Sequence, residues 1–203
     1  MRTFPIMLNL CGRRVVVVGG GRVGMRKARA LAEAHTQVIL VDTSADEADG
    51  MTVVTQPYRQ ELLQGAFLVF ACTNDRALNR RIAADARRIG AMVNVADRPK
   101  ECDFFLPAVW SDGDVVLAVG TGGSAPALAA QLRDSLTGYL PPRIGEFAQT
   151  LGDLRETLRQ KVPDRKRRKE ILRRLCSQEV LDAFLAEGPQ AVRRTLDQLA
   201  SER

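Results

Sequence analysis

Along the first hundred residues, apolar positions fall into short unbroken runs separated by stretches with helical spacing. Val15-Val16-Val17-Val18 is the strongest run. β-branched residues in succession suit a strand covered on both faces, as in a parallel sheet; an exposed strand would alternate apolar with polar. Val38-Ile39-Leu40-Val41, Thr52-Val53-Val54-Thr55, Ala66-Phe67-Leu68-Val69-Phe70-Ala71 and Ala91-Met92-Val93-Asn94-Val95 read as further strands. Between them, residues 22–34 are helical, a short turn of helix covers 61–63, and 75–89 sets Leu78, Ile82, Ala83 and Ala86 at three-to-four spacing, one buried stripe. Strands alternating with helices in this way predict an α/β, Rossmann-like, doubly wound parallel sheet with helices on both faces.

Beyond Asp97 the pattern changes. Residues 103–110 hold a short apolar stretch, 111–114 read as a turn, and Val115-Val116-Leu117-Ala118-Val119 is a strong strand. Gly120-Thr121-Gly122-Gly123-Ser124-Ala125-Pro126 then leads into a helix over about 125–139, with Ser124 expected as its N-cap and Pro126 in its first turn. Pro141-Pro142 marks a boundary, after which everything reads as helix: 144–161, 164–176, 179–187 and 189–201.

The chemistry begins where the first strand ends. Gly19, Gly21 and Gly24 fit G-x-G-x-x-G after a strand and before a helix. In that pattern the first glycine allows the turn, the second lets the backbone approach a pyrophosphate, and the third lets helix pack on strand. The unpaired N–H groups at the helix start suit an anion, so Gly20, Arg22 and Val23 join the candidate phosphate contacts. Asp42 closes the second strand, where a carboxylate would accept hydrogen bonds from both ribose hydroxyls and repel a 2′-phosphate; it argues for NAD over NADP, with Thr43 beside it. Thr73-Asn74-Asp75 closes the fourth strand and can either cap the next helix or border the nicotinamide side of a dinucleotide. The second glycine-rich turn offers another anion-accepting helix start.

Composition narrows the partners. The 203 residues are 45% hydrophobic and 27% charged, as in an ordinary globular chain, and can hold one medium domain plus an appendage. No apolar stretch reaches membrane-spanning length and no signal-peptide core is present, so a cytoplasmic protein with no membrane partner is expected. The net charge of +6 is concentrated toward the C-terminal third, around Arg165-Lys166-Arg167-Arg168-Lys169. Charge alone admits nucleic acid, a membrane surface or a small molecule with many carboxylates. A nucleic-acid reading finds no aromatic interleaving there, and none is expected to bind. Cys11, Cys72, Cys102 and Cys176 have no C-x-x-C spacing and read as inert thiols, and no metal site is expected. His35, the only histidine, is assigned no chemistry.

Taken in order, Phe4-Pro5-Ile6, Val18-Gly19-Gly20-Gly21-Arg22-Val23, Arg26-Lys27-Ala28, Ala71-Cys72-Thr73-Asn74-Asp75, Leu78-Asn79, Val93-Asn94-Val95-Ala96-Asp97-Arg98-Pro99, Asp103-Phe104-Phe105-Leu106-Pro107-Ala108 and the second glycine-rich turn resemble the siroheme synthase N-terminal family. These are precorrin-2 dehydrogenases, some of which also act as sirohydrochlorin ferrochelatases. No methyltransferase segment follows, so the free-standing form is expected. The resemblance implies oxidation of precorrin-2, a tetrapyrrole with eight carboxylate arms, to sirohydrochlorin, with NAD accepting hydride and, in some members, Fe²⁺ as a further substrate. It implies an NAD-binding domain over 1–112, homodimerisation through about 113–142, and a helical domain over 143–203. Asp97 matches the family's proposed catalytic aspartate; Asn94 joins the cofactor set, and Thr121 and Ser124 are candidates for the substrate carboxylates. Thr121 stands where several relatives carry serine. A non-enzymatic NAD-sensing module is the alternative, since gating domains use a similar turn and strand-end acid.

Overall fold

In the computed structural model, which describes residues 3–201, the valine run is the middle strand of a five-stranded parallel sheet. The strands are β1 (Arg14–Val18), β2 (Gln37–Asp42), β3 (Met51–Thr55), β4 (Leu68–Ala71) and β5 (Met92–Val95), in the order β3-β2-β1-β4-β5. Two helices cross between them, α1 (Arg22–Glu33) and α2 (Arg76–Arg88).

The unbroken run has a direct cause. Val15 and Val17 face α1 and pack with Ala28, Leu31, Leu40 and Phe70. Val16 and Val18 face α2 and pack with Ile82, Ala83 and Ala86. None of the four valines is more than 2% exposed, and full burial of each is worth about 1.5–3 kcal/mol. In register, Val18 lies opposite Val41 and Ala71, and Ala71 opposite Val95. The residues that follow β1, β2, β4 and β5 therefore emerge together along one edge of the sheet.

Helix α1 ends on Ala34, and the next residue, His35, takes a left-handed φ of 52° while its N–H donates to the Ala32 carbonyl at 3.0 Å. Its role is to end a helix, as glycine often does. α2 opens on Asp75, whose carboxylate accepts from the N–H groups of Ala77 and Leu78 at 2.8 and 3.2 Å.

The chain divides into two compact units, the first running to Leu106 and the second beginning at Pro107. The second opens with an antiparallel hairpin, β6 (Ala108–Asp112) and β7 (Val115–Val119). The turn expected over 111–114 is shorter than its polar residues suggest. Ser111 and Asp112 remain in the ladder opposite Val116 and Val115, and Gly113, with φ of 54°, makes the reversal with Asp114. A two-residue hairpin loop needs positive φ, which glycine supplies without strain. α3 (Pro126–Thr137) follows, then α4 (Ile144–Lys161), α5 (Arg165–Leu175), α6 (Gln178–Glu187) and α7 (Pro189–Ser201). The last four share a core that includes Phe147, Leu158, Ile171, Leu175, Phe184 and Leu196. α4 reaches the hairpin through Gly145, whose N–H donates to Asp112 Oδ2 at 2.8 Å; a Cβ there would stand 2.1 Å from the Asp112 carbonyl oxygen.

On α3, Leu128, Leu132 and Leu136 recur every fourth residue and are 48%, 42% and 46% exposed, with Tyr139 at 87% just beyond. On α5, Arg165, Lys166, Lys169 and Arg173 are exposed. Among the described residues no helix is long and apolar enough to cross a membrane.

Candidate functional site

The first glycine turn is built by close contacts. Gly19 has φ of 103°, and a Cβ on it would lie 2.6 Å from the Cys72 carbonyl group. A Cβ on Gly24 would lie 1.8 Å from the Gly19 carbonyl oxygen, so α1 can rest on the turn only where this side chain is absent. Gly21 is the N-cap of α1; it contributes no side chain, and the first turn holds no acidic residue. Nothing stands within 4 Å of where a Gly21 Cβ would be. The start of α1 thus offers backbone donors and the positive end of the helix dipole to open space.

Asp42 turns back across this opening. Its Oδ2 accepts from the Gly20 N–H at 2.6 Å, and its Oδ1 accepts from the Ser44 N–H at 2.8 Å and from Ser44 Oγ at 3.1 Å. The Gly20 hydrogen bond first, and those from Ser44 next, hold its carboxyl below the ordinary aspartate value, so it is charged at neutral pH.

Between turn and acid lies a cleft of about 200 Å³ lined by Val18, Gly19, Gly21, Val41, Asp42, Thr43, Gln56, Tyr58, Cys72, Thr73, Asn74 and Leu78. A larger depression, about 460 Å³, lies on the outer face of α1 among Arg22, Met25, Arg26, Arg29, Ala30 and Glu33. It touches one helix and no strand end, and the smaller cleft is the one on which the sheet converges. Thr73 is committed locally: its hydroxyl donates to Asn79 Oδ1 at 2.7 Å, its N–H donates to the same oxygen, and Asn79 Nδ2 returns a bond to its carbonyl at 2.9 Å. Asn74 is exposed at the cleft and Asp75 is the cap of α2.

Asp97 follows β5 with φ of 58°, a left-handed conformation uncommon outside glycine. It is close enough to Cys72 to act on it. Burial pushes the Cys72 thiol up most, the Lys27 ammonium pulls it down, and the Asp97 carboxylate adds to the rise. Asn94 is 7% exposed and its amide is engaged on both sides. Its Oδ1 accepts from Lys27 Nζ at 2.6 Å, and its Nδ2 donates to the Phe104 carbonyl at 3.0 Å. Lys27 Nζ also lies 5.1 Å from the centre of the Phe70 ring, which Phe104 meets edge-on at 5.4 Å.

Gly19, Gly21, Asp42, Thr43, Thr73 and Asn74 therefore line one cleft; Gly20, Val23 and Gly24 belong to the turn and helix start beside it, Arg22 lines the depression on the outer face of α1, Asp97 lies within electrostatic reach of the cleft's Cys72 wall, and Asn94 is buried. Thr121 and Ser124 belong to the second unit. There the expected Ser124 cap is not formed. Ala125 is the N-cap of α3 with no side-chain cap hydrogen bond, Ser124 Oγ donates to the Thr121 carbonyl at 2.6 Å, and the Ala125 N–H donates to Thr121 Oγ1 at 3.2 Å. Ala125 takes the cap position because Pro126 begins the helix.

Lys27, Gln56 and Tyr58 escape the sequence reading. For Lys27 a signal existed: with buried Gly24 three residues before it and buried Leu31 four after, it sits on the inward stripe of α1. Tyr58 is fixed by its hydroxyl, which donates to Asp85 Oδ2 at 2.9 Å; burial and then this carboxylate push its pKa up. Among the described residues no group of three or more His, Cys, Asp and Glu side chains could hold a metal ion.

Comparison with known proteins gives the geometry a context. Residues 6–108 match the family described as "Putative NAD(P)-binding", and residues 143–199 match the sirohaem synthase dimerisation region, which lies after the 113–142 segment expected to dimerise. Siroheme synthase 1 of Aeromonas hydrophila subsp. hydrophila is 33% identical over 210 residues, covering 100% of this chain and 45% of that protein. The siroheme synthase of Methylococcus capsulatus is 35% identical, covering 97% of this chain and 43% of its own length. That of Escherichia coli strain SE11 is 35% identical, covering 100% and 46%. The chain thus spans less than half the length of these relatives. A solved structure titled "SirC, precorrin-2 dehydrogenase" superposes with a TM-score of 0.76 at 22% identity, over 98% of this chain and 100% of that one, and shares its fold.

Proposed function

Because the chain belongs to the siroheme synthase N-terminal family, we propose that it is an NAD-dependent dehydrogenase that converts precorrin-2 to sirohydrochlorin in siroheme biosynthesis. The observation that carries this reading is the uncapped start of α1, opening on the cleft that Asp42 borders. The residues fit a dinucleotide: Gly19 and Gly24 leave the room that a Cβ would fill, and the first-turn N–H groups of Gly21, Arg22 and Val23 suit its pyrophosphate. Asp42 suits the ribose of NAD and opposes a 2′-phosphate, with Thr43 next to it. Asn74 and Thr73 border the cleft, and Asn94, whose amide ties Lys27 to the Phe104 carbonyl, holds the Lys27 ammonium that acts on the cleft's Cys72. NAD, when bound, supplies the hydride acceptor.

The substrate loses a hydride and a proton, and Asp97 accepts the proton. A positioned base of this kind is worth about 10²–10⁴ in rate. For the substrate carboxylates we place Thr121 and Ser124; Thr121 Oγ1 accepts from Ala125 and can still donate its own hydrogen, whereas the Ser124 hydroxyl must leave the Thr121 carbonyl, to which it donates, to do the same. We place the protein in the cytoplasm, whose reducing pool suits four free cysteines.

The test is anaerobic turnover of precorrin-2 with NAD. NADH should form saturably, and Asp97→Asn should lower kcat by about 10²–10⁴ while NAD still binds. NAD binding without any NADH would instead support the sensing module. Adding Fe²⁺ to the product then asks whether the same chain inserts the metal.

We further propose a homodimer, a reading supported by the match to the dimerisation region and by the exposed stripe of Leu128, Leu132 and Leu136. Sedimentation at micromolar concentration should give twice the chain mass, and Leu132→Asp should reduce it to one. A monomeric wild-type protein would contradict the assignment.

A further inference from the structure

We infer that Cys102 is a positioning residue whose thiol, enclosed by the backbone of residues 95–98, holds Asp97 in its left-handed turn. This deepens the reading of Asp97 as proton acceptor and rests on it. The thiol Sγ accepts from the Val95 N–H at 3.2 Å and lies 3.3 Å from both the Val95 and the Arg98 carbonyl oxygens. Asn94 Nδ2 approaches the same sulfur at 3.6 Å. One side chain thus meets the chain on either side of Asp97, at Val95 before it and at Arg98 after it.

The turn needs such a hold. Its own closing bond, from the Arg98 N–H to the Val95 carbonyl, is 3.3 Å, beyond the usual N–H···O range. A non-glycine residue at φ of 58° persists only where its surroundings impose it. A thiol has the required chemistry, with one hydrogen to give to either carbonyl and lone pairs to accept N–H groups. Burial, its largest influence, pushes the Cys102 thiol up, which keeps that hydrogen in place at neutral pH. Asn94 links this arrangement to Lys27 on α1. The reading of Cys102 as an inert thiol is therefore incomplete: it is unreactive, and it shapes the loop that carries the acid.

The experiment compares wild type, Cys102→Ala and Cys102→Ser in three readouts: steady-state turnover, NAD affinity by titration, and amide hydrogen exchange at residues 95–98. Removing the thiol should lower kcat by about 10–100-fold, the scale on which small misplacements of a reacting group act. NAD affinity should not change, and exchange at Val95 and Arg98 should accelerate. Serine keeps a donor and an acceptor and should recover most of kcat and of the protection. If Cys102→Ala does not fold, Cys102→Val keeps the volume without the hydrogen bonds and should behave as stated for alanine. Unchanged kcat and unchanged exchange in the alanine or valine variant would overturn the inference, as would loss of kcat and NAD affinity in parallel. If wild type forms no NADH, the dehydrogenase reading fails by itself, and the exchange comparison still decides whether the thiol holds the turn.

Discussion

The turns at Gly19 and Gly120 both lead from an apolar strand into a helix, and both are rich in glycine, yet they differ in how many backbone donors they leave free at the helix start. Neither helix has a side-chain cap; at the first, Asp42 takes the Gly20 N–H and no N–H of α1 itself. At the second, Thr121 Oγ1 accepts from Ala125, the Thr121 carbonyl accepts from the Ser124 N–H at 3.2 Å and from its hydroxyl, and α3 begins with a proline that has no N–H. Glycine content alone therefore does not mark a pyrophosphate site. What distinguishes the first turn is that neither a side-chain acceptor nor a proline removes a backbone donor at its helix start.

Substitutions in the two turns should separate accordingly. The largest effect is expected from Gly24→Ala, since its Cβ would stand 1.8 Å from the Gly19 carbonyl oxygen and α1 would have to shift. NAD affinity by calorimetric titration should fall by at least ~100-fold, or ~3 kcal/mol. Asp42→Asn comes next. It removes a charged acceptor shared by Gly20 and Ser44, and should weaken NAD by about tenfold while narrowing the gap to NADP.

The same acid gives a pH signature. Its carboxyl is held below the ordinary value in the folded protein, so its contribution to stability is complete above the unfolded value and is lost as pH falls through the folded one. Denaturant melts should show wild type more stable than Asp42→Asn at neutral pH, with the difference shrinking below about pH 4.

Effects in the second turn should be smaller and leave NAD untouched. Thr121→Ala leaves the Ala125 N–H without its acceptor and should cost about 0.5–1.5 kcal/mol in a melt. Gly120→Ala, where a Cβ would meet nothing within 4 Å, should change stability by less than about 0.5 kcal/mol. Equal losses of NAD affinity from Gly24→Ala and Gly120→Ala would break the comparison.

The parallel sheet and its helices were legible because burial on both faces leaves a plain mark: Val15 to Val18 pack alternately on α1 and α2. The end of β6 was not, because Ser111 and Asp112 are polar residues that stay in a ladder whose outer positions face solvent, and Gly113 alone marks the reversal. In the first turn, glycine spacing and the strand-end acid were readable because close approach and charge dictate residue type. The roles of Lys27 and Cys102 were not: the inward stripe of α1 turns Lys27 toward the sheet without naming its partner, and the nearby partners of Cys102 follow no pattern. Lys27 meets Asn94 across 67 residues, and Cys102 meets a turn whose shape no local pattern encodes. Ser124 failed as a cap because several small polar residues stood near the helix start, and only the position of Pro126 decided among them.

The measurement that bears most directly on this account is a pair of equilibrium titrations of the wild-type protein, one with NAD and one with NADP, at moderate salt. The uncapped helix start and Asp42 together predict saturable binding of NAD, with NADP weaker by at least about tenfold, or ~1.4 kcal/mol. Equal affinity for both, or no binding of either, would contradict the assignment of the first turn and of Asp42.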